Sequence, residues 1–157
     1  MKNKIGSYII GIALPLGVGT LAAFLTRESM NIYAEITKPP LSPPAILFPI
    51  VWTVLYVLMG ISSVMIFNSK EANPTAAEKG LKLYILSLIL NFSWSIVFFN
   101  NRSFGLALVV ILILLALIIG TVVNYFKVKP LPAILQIPYA IWVAFATYLN
   151  GAILFLN

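Results

Sequence analysis

Fourteen charged residues divide this 157-residue chain into five long charge-free runs: 5–26, 39–69, 83–101, 103–126 and 130–157. The runs are 22, 31, 19, 24 and 28 residues long. Crossing the hydrocarbon layer of a bilayer takes about 20 apolar residues as a helix. Each run therefore holds one span, and none holds two. With 61% apolar and 9% charged residues, the chain cannot cover a water-facing surface, since a soluble domain carries about 25% charge. In lipid the backbone must satisfy its own hydrogen bonds, so helices are expected. The runs do not alternate as barrel strands would. The expected fold is all-α: a single membrane bundle spanning 1–157, with helices near 5–25, 45–67, 81–99, 104–126 and 131–155 and a long loop over 26–44.

The charges also orient the bundle. Five spans place Lys2, Lys4, Lys70, Lys79, Lys82, Lys127 and Lys129 on one side and Arg27, Lys38 and Arg102 on the other. Excess positive charge is retained in the cytoplasm. The expectation is a multi-pass cell-membrane protein with its N-terminus cytoplasmic and its C-terminus outside. The net charge of +6 is then a topology signal, and the scattered lysines predict no nucleic-acid partner. The first run has a basic start and small residues at Ala22 and Ala23, as a signal peptide does. Its apolar stretch is longer than an ordinary signal core, so it is read as a span.

Missing residue types exclude chemistry. The chain has no Cys and no His, so disulfides, thiolate catalysis, imidazole bases and thiolate- or His-held metals are excluded; no metal site is expected. There is no Asp, and Glu28, Glu35, Glu71 and Glu78 all fall between the runs. A proton-driven multidrug exporter needs an ionisable group inside the bilayer, which makes that function the weakest of those considered.

Between spans, 100–103 and 127–129 leave room only for tight hairpins. Asn73-Pro74 reads as a turn, with Thr75 and Glu78 as a capping box for the third span. The first loop ends in Lys38-Pro39-Pro40-Leu41-Ser42-Pro43-Pro44, and its four prolines impose a stiff, extended path. Two compatible readings apply: a lid, and a stop signal with Ser42 capping the second span.

Within the spans, Phe48, Trp52 and Tyr56 recur at i+4 steps and share a face. Ser87, Asn91 and Ser95 do the same, flanked by Trp94 and Phe98. The fifth span carries Pro138, Trp142, Ala146 and Asn150 in register, with Phe145 and Leu149 alongside. Asn91 in lipid would leave its amide unpaired at a cost of several kcal/mol, so it faces the bundle. Two readings of these stripes stand: helix packing with polar glue, and a pocket for a flat, largely apolar ligand. In the first span, Gly19 with Ala23 and Ala13 with Gly17 form small-xxx-small pairs, which suit packing within the bundle or a dimer equally. Pro138 frees a carbonyl near residue 134 and predicts a kink.

The stretch Lys38-Pro39-Pro40-Leu41-Ser42-Pro43-Pro44, followed by Phe48-Pro49-Ile50-Val51-Trp52-Thr53-Val54-Leu55-Tyr56 and Met59-Gly60, resembles the signature of the translocator protein family. These proteins are also known as tryptophan-rich sensory proteins or peripheral-type benzodiazepine receptors. Leu90-Asn91-Phe92, Trp94-Ser95 and Phe98-Phe99 match in the third span. Pro138-Tyr139, Trp142-Val143, Ala146 and Leu149-Asn150 match in the fifth. The resemblance spans the whole chain and is that of a bacterial member.

It implies a five-helix bundle, often dimeric, that binds porphyrins such as protoporphyrin IX and hydrophobic drug-like ligands beneath the first loop. The site residues it implies, with their neighbours on the same faces, are Phe48, Trp52, Tyr56, Asn91, Trp94, Ser95, Phe98, Trp142, Phe145, Ala146 and Leu149. Tyr33, Pro43 and Pro44 belong to the lid or its edge. The family's light-dependent porphyrin breakdown is attributed to tryptophans matching Trp52 and Trp142, the alternative function for this chain. No cofactor is implied beyond the porphyrin ligand, and the other partner is the lipid bilayer. Two departures stand out: Leu41 occupies a position where many members carry Trp, and the Tyr and basic residue of the animal cholesterol motif do not follow Leu149-Asn150. Some members of the family also bind sterols, but without that motif sterol transport is not expected here.

Overall fold

The computed structural model describes residues 2–29 and 31–157, with side chains from residue 5 onward. The Lys2 and Lys4 side chains, counted above toward orientation, lie outside the described set. Five helices are long and apolar enough to cross a membrane: α1 (Lys2–Thr26), α3 (Leu47–Asn68), α4 (Pro74–Ser95), α5 (Phe104–Phe126) and α6 (Pro130–Leu156), with a one-turn helix α2 (Ile32–Glu35) inside the first loop. The chain is a multi-pass α-helical membrane protein.

Around the bundle, α1 packs on α3, α3 on α6, α6 on α5 and α5 on α4, and α4 meets α1 by a looser seam. Even α5, the most apolar helix, has an inward stripe: Ala107, Ile111, Leu114, Ile118, Thr121 and Tyr125 are buried, while Val109, Leu112, Ile113 and Val123 are exposed. Spacings of three and four residues place the buried set on one side. The exposed set is what a lipid-facing surface needs.

Glycines set the closest approaches. A Cβ on Gly60 would stand 2.6 Å from the Gly11 carbonyl oxygen, and one on Gly80 would stand 2.7 Å from the Tyr125 ring. Tyr125, drawn in against α4, shares a 2.8 Å hydrogen bond with the Ser63 hydroxyl. Ser62 Oγ donates to the Pro132 carbonyl at 2.7 Å, tying α3 to the start of α6. Of the small-residue pairs in α1, Gly19 faces the Tyr56 ring, whereas a Cβ on Gly17 would meet nothing within 4 Å. Gly19 therefore serves packing inside the bundle, and the exposed Gly17 lies on the opposite, uncovered side.

Helix ends depart from the sequence expectations in three places. α4 begins at Pro74, seven residues before the expected start at 81. Asn73 is its cap, accepting from the Ala76 N–H at 3.2 Å, and Pro74 takes the first position, where no N–H is needed. Thr75 and Glu78 form no capping box, and Glu78 pairs instead with Lys82 at 2.9 Å. The charges that marked the membrane boundary do not stop the helix, which continues into water. α3 starts at Leu47 without a side-chain cap, and Ser42 Oγ turns back to the Pro39 carbonyl at 2.7 Å. α4 ends in a π-helical turn over Ile96–Asn100, closed by the Asn101 N–H on the Ile96 carbonyl at 3.1 Å. Pro138 lies inside an unbroken α6.

Candidate functional site

The π-helical turn carries an extra residue per turn, and such turns often mark functional sites. Here it gathers rings. Phe98 lies 5.0 Å from Trp94, 4.9 Å from Phe99 and 5.0 Å from Phe104, centroid to centroid. Trp94 is fixed by polar contacts: its indole Nε1 donates to Asn150 Oδ1 at 2.9 Å. Asn150 Nδ2 in turn donates to the Phe104 carbonyl at 2.9 Å. One asparagine on α6 thus locks a tryptophan of α4 and the first residue of α5.

Opposite them, Trp52 stacks on Tyr56 at 5.5 Å and meets Tyr139 edge-on at 6.2 Å. Tyr139 accepts a hydrogen bond from Asn91 Nδ2 at 3.2 Å. Trp142 touches Phe48 at 5.9 Å and Phe145 at 5.7 Å, and its indole N–H is buried with no acceptor among the described residues.

Of these rings, Phe48, Trp52, Tyr56, Trp94, Phe98, Phe99 and Trp142 surround a cavity of about 260 Å³ between α1, α3, α4 and α6. Of the residues the sequence singled out, Tyr33, Phe48, Trp52, Tyr56, Trp94, Ser95, Phe98, Trp142, Ala146 and Leu149 stand on its wall. Pro43, Pro44, Asn91 and Phe145 do not. Asn91 lies behind the wall and holds Tyr139. Phe145 backs Trp142, and the Pro43 carbonyl receives the Tyr33 hydroxyl. The wall residues not anticipated come largely from α1: Leu16, Gly19, Thr20, Ala22, Ala23 and Thr26. Their signal was present as small residues at 19, 22 and 23. Small side chains facing large rings on the neighbouring helices leave space, whether or not they also allow close packing.

Every residue on the wall is uncharged. Its polar groups are hydroxyls, indoles and one amide, and the amide is committed to Trp94 and Phe104. The chemistry available is stacking, dispersion and a few hydrogen bonds.

The first loop closes one end of the cavity and is fastened on several sides. Tyr33 donates its hydroxyl to the Pro43 carbonyl and packs edge-on against Phe48 at 5.1 Å. Tyr148 Oη donates to the Pro40 carbonyl at 2.9 Å. Asn157 and Thr37 exchange two hydrogen bonds, of 3.1 and 2.9 Å. Arg102 reaches Glu35 at 3.5 Å. Lys38 Nζ lies 4.9 Å from the Tyr33 ring centre and donates to the Tyr33 carbonyl. Burial holds the Tyr33 phenol above its ordinary pKa, opposed in part by Ser42. Leu41, at the loop's tip, has φ of 70° and is 82% exposed. Its side chain points away from the cavity and adds nothing to the wall.

The cavity opens sideways. Thr20 and Ala23 of α1 and Pro49 and Thr53 of α3 line it and are exposed. The gap between these four residues is the cavity's open side.

Five spans, a fastened cover loop and an uncharged aromatic cavity define a multi-pass membrane protein of a single helical bundle. Residues 11–156 match the TspO/MBR family, and the chain belongs to it. It is 34% identical to the tryptophan-rich protein TspO of Chlorobaculum tepidum over 158 residues, covering 100% of this chain and 99% of that one. It is 38% identical to the translocator protein of Bos taurus over 138 residues, covering 87% of this chain and 82% of the relative. The protein CrtK of Rhodobacter capsulatus is 31% identical over 125 residues, with 80% and 78% covered.

Proposed function

We propose that this protein binds porphyrins, protoporphyrin IX among them, and other flat hydrophobic molecules in the α1–α3–α4–α6 cavity. The observation that carries the reading is the wall itself: three tryptophans from three helices around an uncharged space. A macrocycle offers π-faces to Trp52, Trp94 and Trp142, and its acidic substituents suit the Lys38 ammonium at the loop's edge. No imidazole, thiolate or carboxylate stands on the wall to ligate iron, so the metal-free porphyrin suits it better than haem.

Fluorescence-quenching titration with Trp52→Ala and Trp142→Ala tests this. Losing one ring removes stacking of about 0.5–1.5 kcal/mol beyond its buried area, so affinity should fall about tenfold or more per variant. Unchanged affinity in both would refute the reading.

Because Trp52 and Trp142 both stand on the wall, a second activity is proposed: light- and oxygen-dependent breakdown of the bound porphyrin. Illuminated turnover with Trp142→Phe tests it. A wild-type rate no faster than free porphyrin in detergent would exclude catalysis.

The orientation proposed is N-terminus in the cytoplasm and C-terminus outside the cell membrane, supported by seven lysines on one side against three basic residues on the other. Since the chain has no Cys, single cysteines placed at Lys70 and at Arg102 report sidedness directly. Labelling of the Lys70 position by an impermeant reagent in intact cells would reverse the assignment.

A further inference from the structure

At the opposite end of the bundle from the cover loop, a second cleft of about 210 Å³ is lined by Tyr8 of α1, Met65 and Asn68 of α3, Ser69 just beyond α3, and Lys129 just before α6. Three helices supply it because α1 and α6 begin where α3 ends. Four of its five residues carry polar hydrogens, on a phenol, an amide, a hydroxyl and an ammonium. None of these side chains has a hydrogen-bond or ion-pair partner among the described residues. The lining contains one cation and no carboxylate. Glu71, two positions after Ser69, is not part of it. Glu78, the other acid on this side of the bundle, is engaged by Lys82 at 2.9 Å. The N-terminal end of α6 adds a partial positive charge. Met65 gives the cleft an apolar floor on the side of the hydrocarbon layer.

Unpaired donors around one cation, on an apolar floor at the end of the spans, are complementary to an anion attached to a hydrocarbon tail. We propose that this cleft holds the phosphate of an anionic phospholipid. Lys129 Nζ supplies the charge, and Tyr8, Asn68 and Ser69 donate to the phosphate oxygens. The first acyl carbons pass over Met65. Basic pockets between spans are a recurrent way to hold such headgroups. The site is independent of the aromatic cavity.

The test is native mass spectrometry of the protein released from mixed bilayers of equal phosphatidylglycerol and phosphatidylcholine. Wild type should retain phosphatidylglycerol preferentially. Lys129→Gln should lower that retention about fivefold, the effect of one basic residue at a membrane surface, and Lys129→Arg should preserve it. Lys82→Gln removes the same charge outside the cleft and should leave retention unchanged. Ligand titration of the aromatic cavity in each variant verifies folding. Equal retention of the two lipids by wild type would overturn the proposal, as would equal losses in Lys129→Gln and Lys82→Gln. Displacement of phosphatidylglycerol by millimolar inorganic phosphate would reassign the cleft to a soluble anion and overturn the lipid assignment.

Discussion

Replacing Gly60 by alanine puts a methyl group where α1 already stands. The new carbon would lie 2.6 Å from both the Gly11 carbonyl oxygen and Ile12 Cα, and 3.0 Å from Gly11 C. Ordinary carbon contacts are about 3.5–4.0 Å, so α1 must withdraw by about 1 Å. These atoms are backbone and cannot rotate aside. Overpacking of this kind costs about 1–3 kcal/mol, against a gain of about 1 kcal/mol for replacing glycine in a helix. Because the opposing atoms are backbone, the steric term wins, leaving a net loss of about 1 kcal/mol.

Two further glycines calibrate the effect. A Cβ on Gly17 meets nothing within 4 Å, so Gly17→Ala should show only the helix-propensity gain. A Cβ on Gly11 would lie 2.1 Å from Cγ2 of the buried Val64, a β-branched side chain held in one favoured helical rotamer, so Gly11→Ala should lower Tm as well. For a chain of this size, about 1 kcal/mol moves Tm by about 2–4 °C. Thermal unfolding in detergent should therefore lower Tm by about 2–4 °C in Gly60→Ala and raise it by about 2–4 °C in Gly17→Ala. Displacing α1 also moves the Gly19–Tyr56 part of the cavity wall, so ligand affinity should drop in Gly60→Ala and not in Gly17→Ala. Equal Tm values for Gly60→Ala and Gly17→Ala would refute the claim that α1 and α3 meet through Gly60.

Asn150→Leu leaves the Trp94 N–H unpaired, at about 1–3 kcal/mol, while the Phe104 carbonyl keeps its own helix bond in the first turn of α5; Tm should fall and the tryptophan emission should shift, and an unchanged spectrum would contradict the Trp94–Asn150 bond. Only the protonated Tyr33 phenol can donate to Pro43, and its pKa is raised by burial. That contribution is therefore fully present below the ordinary phenol pKa and is lost as pH rises through the raised value. Ligand dissociation should accelerate in that alkaline range for wild type and show no such step in Tyr33→Phe, by stopped-flow fluorescence. Bulky residues in the gap, Ala23→Trp or Thr53→Trp, should slow ligand association from lipid vesicles more than they change affinity; unaltered association rates would mean that ligands enter by another route.

The spans were legible because charge in lipid is costly, so the fourteen charges mark where chain and water meet. The fifth-helix start and both ends of 104–126 follow directly. The start of α4 did not, because a helix need not end where the membrane does: Asn73 and Pro74 initiate it in water. The π-helical turn at Ile96–Asn100 leaves no trace in residue spacing, since Trp94 and Phe98 would share a face in an ordinary helix too. Most of the aromatic wall could be read from four-residue steps. Asn91 shows the limit of that reading, because facing the bundle satisfied its amide on Tyr139 behind the wall rather than on it. The α1 wall was hidden because a cavity is defined by what small residues leave empty, and glycine and alanine announce close packing equally well.

The absence of formal charge on the cavity wall has an electrical consequence. Moving one elementary charge across a membrane potential of 100 mV involves about 2.3 kcal/mol. A wall of aromatic rings, hydroxyls and one amide carries no gating charge, so its opening or closing does no work against the potential. Any voltage dependence of occupancy therefore measures the charge on the guest and the depth at which it rests, and neutral and anionic ligands of equal shape become a ruler for that depth.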